Sequence, residues 1–161
     1  MKLSCRHAAG VPPEVTRAVL QERAEDAALA VQSALELTEE VQAGADSLLP
    51  KVLTALSRPT RLVRGKQDEA KGEVDSTLFT SDDEKELWAR LQTVRGQVEP
   101  GMGVGAWLKA VSELVQPVDS FFTNVLVMDK DEAVRRNRLS LSRAVAEVSS
   151  GVVDLAELPG F

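Results

Sequence analysis

Residues 118–142 read VDSFFTNVLVMDKDEAVRRNRLSLS and end in a knot of guanidinium groups, Arg135, Arg136 and Arg138, with Arg143 immediately beyond. A guanidinium is planar, permanently charged and carries several donors in a fixed fork, which suits phosphate oxygens and base edges as lysine does not. Asn137 adds an amide that can both donate and accept. A second cationic window, RPTRLVRGK, sets Arg58, Arg61, Arg64 and Lys66 in a run without one acid. Each group has two readings, a solvated charged surface or a patch for a polyanion such as RNA. On a helix Arg135 and Arg138 share one face while Arg136 and Arg143 share another, so the four cannot all point one way. Asp129, Asp131, Glu132 or carbonyl groups could satisfy some of them.

Other chemistries find less support. Gly101, Gly103 and Gly105 alternate in EPGMGVGAW, but no lysine and Ser/Thr follow as a phosphate loop requires, and a dinucleotide fingerprint needs a different spacing after a strand. The segment reads as a turn between helices. Cys5 is the single cysteine and His7 the single histidine; together they fall short of a structural zinc site, and a lone cysteine cannot close an internal disulfide. No metal or catalytic residue is assigned. A net charge of -6 over 161 residues argues against non-specific wrapping of nucleic acid, which is driven by phosphate neutralisation, so any RNA contact must be local. A hydrophobic content of 43% against 27% charged residues supports one domain with a real core, and no stretch is long enough to span a membrane.

The elements that must carry these groups are helical. After residues 1–13, expected to form a disordered stub, a long helix is predicted up to Gly44, with Leu20, Ala24, Ala27, Val31 and Leu35 at helical intervals. A second covers SLLPKVLTALS, with Ser47 as N-cap, Pro50 in the first turn, and Pro59 as its end. Residues 58–80 read as a basic and polar surface connection. Ser81 and Glu84 form a capping box for a helix whose inward face is Leu87, Trp88, Leu91 and Val94. The run from Trp107 to Val125 is apolar and helical, broken into two segments near Pro117, with Phe121 and Phe122 expected in the core. Asp129 or Asp131 caps a last helix, residues 130–148, ended by Gly151. No alternating strand pattern is present, so the fold class is an all-α bundle of about five helices spanning residues 14–161.

FFTNVLVMDKDEAVRRNRLSLS resembles the "FF-x-x-V-x-VM … R-x-NRL-x-L" signature of the helical DALR-type anticodon-binding domain at the C-terminus of certain aminoacyl-tRNA synthetases. VTRAVLQERA, RPTRLVRGK and the ending VVDLAELPGF are most similar to the β region of bacterial-type glycyl-tRNA synthetase, including its fused chloroplast form. Arginyl-tRNA synthetase, with a related helical domain, is the nearest alternative family. The chain departs from the pattern at Ser142, where NRLALL would place an apolar residue. A buried serine there is expected to bond back to a carbonyl one turn earlier.

The resemblance implies a module that docks the anticodon arm of glycine tRNA through Arg135, Arg136, Asn137 and Arg138, with Arg58, Arg61, Arg64 and Lys66 as a second patch. Its partners would be that tRNA and a catalytic α subunit or fused catalytic region; neither membrane nor DNA is expected. ATP and Mg²⁺ are implied for the complete enzyme, and no cofactor for this chain. No synthetase active-site element is recognisable, so the chain alone is not expected to aminoacylate. It would be either a fragment of a longer synthetase or a detached domain. Localisation would be the chloroplast, with the mitochondrion as a second compartment, or the cytoplasm of a bacterium. A non-catalytic helical scaffold for protein interactions is the rival reading, favoured by the acidic net charge.

Overall fold

The computed structural model describes residues 10–161; the expectations for Cys5, His7 and the rest of 1–9 lie outside the described residues. Among these the chain forms seven α-helices and no strand: α1 Pro13–Arg23, α2 Ala27–Ala43, α3 Leu49–Arg64, α4 Asp82–Gln97, α5 Val104–Ser112, α6 Val115–Asn124 and α7 Glu132–Ala146. Helix α3 packs against α5, α6 and α7, while α1 and α2 lie on each other. The all-α class stands, with seven helices where about five were expected.

Two breaks set this count, one unexpected in the first helix and one already marked by Pro117. The predicted long first helix stops at Arg23, and Asp26 restarts it by accepting the main-chain N–H of Leu29 at 3.0 Å. An aspartate ahead of AALAV is an N-cap signal. This break resets the helical phase, and Leu20, Val31 and Leu35 end up 48%, 62% and 50% exposed. The faces that enter the core are instead Val15, Ala18 and Val19 on α1 and Ala30, Ser33 and Leu37 on α2. The second break, at Glu113 and Leu114, precedes Pro117, which sits in the first turn of α6 where its missing N–H is harmless.

Pro59 does not end α3, and residues 58–64 are helix rather than connection. The apolar face of Val52, Leu53 and Leu56 continues through Pro59 to Val63, all buried, and its burial outweighs the one main-chain hydrogen bond that proline forfeits. The N-cap position is Leu48 rather than the expected Ser47, which lies one residue earlier and accepts the N–H of Leu49 at 2.9 Å. Helix α4 begins on the predicted capping box, with Leu87, Leu91 and Val94 buried and Trp88 half-buried edge-on to Phe79. Val98–Gly103 is the turn between α4 and α5, and the N–H of Gly105 points at the Glu36 carboxylate at 3.3 Å. That helix start already faces an internal anion.

The C-terminal VVDLAELPGF closes the molecule. Val152, Val153, Leu155 and Leu158 are buried, and the N–H of Asp154 donates to the carbonyl of Ala18 at 2.8 Å. Gly151, at φ 78°, supplies the left-handed turn that redirects the chain after α7. Trp107, fully buried, donates its indole N–H to the Val148 carbonyl at 2.9 Å.

Candidate nucleic-acid interface

Helix α7 carries the arginine knot, its start set by Asp131, which accepts the N–H groups of Ala133 and Val134 at 2.9 and 3.2 Å. The structure turns half of the knot inward. Arg138 is 6% exposed and Asn137 4%, so neither lies on a surface that RNA could reach, contrary to the sequence expectation. The reason is helical phase, because Asn137 and Arg138 fall beside Leu141 and Ser142 on the face that packs into the bundle.

Arg138 is spent on three segments. Its Nε donates to Glu84 Oε1 at 2.9 Å, one terminal nitrogen reaches the Leu126 carbonyl at 2.8 Å and Asp129 at 3.0 Å, and the other reaches the Thr80 hydroxyl at 2.8 Å. Glu84, itself fully buried, also accepts the N–H groups of Thr80 and Ser81 at 3.0 and 2.9 Å. Burial pushes the Glu84 carboxyl up, yet the hydrogen bonds from Arg138, Thr80 and Ser81 and the guanidinium charge outweigh it and hold the group below its ordinary value. Asn137 clamps a loop, donating to the Asp75 carbonyl at 2.9 Å while accepting the Asp75 N–H at 2.8 Å.

Arg135 is partly buried, donating to Glu69 at 2.8 Å and to the Asp129 carbonyl at 3.0 Å. Its charge and hydrogen bond hold Glu69 below the usual carboxylate range and raise the guanidinium in turn. Arg143 is also partly buried and reaches the Gly72 carbonyl at 3.2 Å. Only Arg136 of the knot is well exposed, paired one turn back with Glu132 at 2.6 Å. The hydroxyls at Ser140 and Ser142 are buried; Ser142 bonds back to the Arg138 carbonyl at 2.9 Å, as its place in the sequence predicted.

The second cationic group is the one that faces solvent. Arg58, Arg61 and Arg64 project from the outer side of α3, and Lys66 follows its end, 3.7 Å from Glu69. Arg58 lies over the ring of Phe122, 5.2 Å from its centroid, and Arg61 donates to the main-chain oxygen of Phe161. Among the described residues neither Arg58, Arg61 nor Arg64 has an Asp or Glu side chain within 4.0 Å. The two groups meet where Lys66 and Arg135 share the Glu69 carboxylate, at 3.7 and 2.8 Å, and where Arg64 and Arg143 line one groove; the α3 arginines and Arg136 remain open, and Asn137 and Arg138 hold the frame.

Sequence reasoning missed two features. Arg23 is buried and ties α1 to the Gly151 and Met102 carbonyls and to the Ser33 hydroxyl, at 3.1, 2.7 and 2.6 Å; its spacing four residues after Val19 was the available signal. The other is the segment after α6. There the chain leaves the helix at Val125 and bends at Val127 and Met128, with Val127 buried while Leu126 and Met128 are 67% and 40% exposed.

Comparison with known proteins supplies the relationship. The model of the DALR anticodon binding domain matches residues 52–156. The chain is 40% identical over 152 residues to the glycine–tRNA ligase, chloroplastic/mitochondrial 2, of Arabidopsis thaliana, covering 94% of this chain and 14% of that protein. Against the glycine–tRNA ligase β subunit of Syntrophotalea carbinolica it is 37% identical over 154 residues, 94% of this chain and 22% of the relative. A glycine–tRNA ligase β subunit of Neisseria gonorrhoeae is 38% identical over 109 residues, 66% of this chain and 86% of that sequence. The chain thus spans under a quarter of the length of the first two relatives. With an all-helical fold, the arginine signature on α7 and a domain match running from α3 to the C-terminal segment, this chain belongs to the DALR anticodon binding domain family.

Proposed function

We propose that this chain docks the anticodon arm of glycine tRNA and so supports glycyl-tRNA formation by a catalytic region of the synthetase that lies elsewhere. The family match over residues 52–156 carries the reading, and the names of the relatives, all glycine–tRNA ligases, supply the amino acid. The contact surface is the outer side of α3, where Arg58, Arg61 and Arg64 meet the backbone of the loop, with Lys66 past its end and Arg136 as a further exposed cation on α7. Arginines there position phosphates, while sequence is read on splayed bases. The catalytic α subunit or fused region would bind ATP and Mg²⁺; among the described residues no group of three His, Cys, Asp or Glu side chains is placed to hold a metal ion. The chloroplastic/mitochondrial name of one relative supports a plastid or mitochondrial site of action, and the bacterial relatives a cytoplasmic one.

Affinity for glycine tRNA, measured across a salt series and against the same tRNA with altered anticodon bases, tests the reading. A clear negative slope of log K on log salt is expected, reduced by about one for each phosphate contact removed when Arg58→Glu or Arg64→Glu is introduced. No binding at low salt would refute the RNA role, and equal affinity for both tRNAs would refute anticodon reading. A second reading, a helical module for protein partners, is favoured by one observation: the exposed apolar Leu20, Val31 and Leu35 on α1 and α2.

A further inference from the structure

We propose that the groove between the second half of α3 and the segment after α6 is a pocket for an unstacked base of a single-stranded RNA loop. The proposal rests on the tRNA reading above and assigns it a subsite. The groove is lined by Arg58, Arg61, Leu62, Phe122, Leu126 and Met128 among others, and no carboxylate is in its lining.

Three observations select this occupant. First, Leu126 and Met128 stand exposed beside the partly buried Leu62, Phe122 and Val125, a continuous apolar surface left uncovered. Unstacked bases gain by covering such surface, and every base offers a π face to it. Second, the wall is cationic. The guanidinium carbon of Arg58 already sits over Phe122, 5.2 Å from the ring centroid, so the group can stack on a base or turn to a phosphate, and Arg61 stands one turn further along α3. A neutral protein helix would use the apolar floor but leave arginines that have no Asp or Glu partner unmatched, in a chain of net charge -6; a polyanion matches them.

Third, the floor is preorganised. The backbone of the segment is pinned from beneath, by Arg138 on the Leu126 carbonyl and the Asp129 carboxylate at 2.8 and 3.0 Å and by Arg135 on the Asp129 carbonyl at 3.0 Å. Arg135 and Arg138 are positioning residues in this account. They act on RNA by holding the loop that presents Leu126 and Met128, and ordering the loop in advance lowers the entropic cost of docking.

The test uses the anticodon stem-loop of glycine tRNA with intact loop bases, and the same stem-loop with abasic loop nucleotides, each titrated against the wild-type chain and the Leu126→Ser/Met128→Ser variant. Both side chains are exposed, and unchanged far-UV circular dichroism checks that the variant folds. The expected result is a roughly tenfold loss of affinity for the intact loop, about 1.4 kcal/mol, and no further loss for the abasic loop. Equal losses on the two loops, or no loss on the intact one, would overturn the pocket while leaving tRNA binding in place. Failure of the wild-type chain to bind either stem-loop would overturn the tRNA reading and the pocket together. Loss of binding to the synthetase's catalytic region with RNA affinity unchanged would identify the groove as a protein interface and overturn the proposal.

Discussion

Arg138→Met separates a structural arginine from an RNA contact. Methionine keeps much of the apolar stem but removes the five-donor head, which leaves Glu84 Oε1 without its partner at 2.9 Å inside a site where Glu84 is 0% exposed. Breaking a buried ion pair from one side costs about 3–5 kcal/mol, because a charge stays behind unmatched. The lower end applies here, since Oε2 keeps the N–H groups of Thr80 and Ser81 at 3.0 and 2.9 Å. A loss of about 3 kcal/mol is therefore expected, and at roughly 2–4 °C per kcal/mol for a chain of this size the melting temperature falls by roughly 6–12 °C. Adding Glu84→Gln removes the stranded charge, so the double variant is expected to be more stable than Arg138→Met alone, a coupling that a double-mutant cycle in urea measures. Exposed ion pairs are worth about 0.2–1 kcal/mol. A fall of under roughly 2 °C for Arg138→Met would show that its guanidinium is solvated, and would refute the buried clamp.

Two further outcomes follow from the same network. Asn137→Ala removes both bonds to the Asp75 main chain; a cost of about 1–3 kcal/mol is expected for the orphaned groups, with faster amide exchange confined to residues 72–79, and unchanged exchange there would count against the clamp. Acid stability gives the second. Glu84, Asp129 and Glu69 all have folded values held below the ordinary carboxylate range, so their stabilising effect is complete above about pH 4.3 and is lost as pH falls through the lowered folded values, when the unfolded chain takes up protons first. The midpoint of urea unfolding is expected to drop from about pH 5 to about pH 3, and to drop less in Glu84→Gln; parallel profiles for the two proteins would exclude Glu84 as a contributor.

Local physics is legible wherever a signal is complete within one or two turns. The capping box at Ser81 and Glu84, the all-helical class, the split of the apolar run near Pro117, the glycine turn before α5 and the back-bonded Ser142 are all of this kind. They depend on backbone donors and on side chains three or four residues away, and that information is contiguous in the chain. Pro59 shows the limit. Its local preference ends a helix, but the apolar periodicity through Val63 continues it, and packing on α7 and α6 decides in favour of the helix.

The amino-acid sequence alone determined that this chain is helical, that it carries arginines in two clusters, and that its pattern is that of an anticodon-binding domain. Which arginines face outward was decided only by the tertiary structure. The Arg138 guanidinium finds Glu84 fifty-four residues away and Thr80 fifty-eight away, and a charge goes inside only where such distant partners converge to replace water. The same convergence fixes the segment after α6 and turns Leu126 and Met128 to solvent beside Arg58. A residue's type sets what it can bond to, whereas its burial depends on the phase of every helix packed around it.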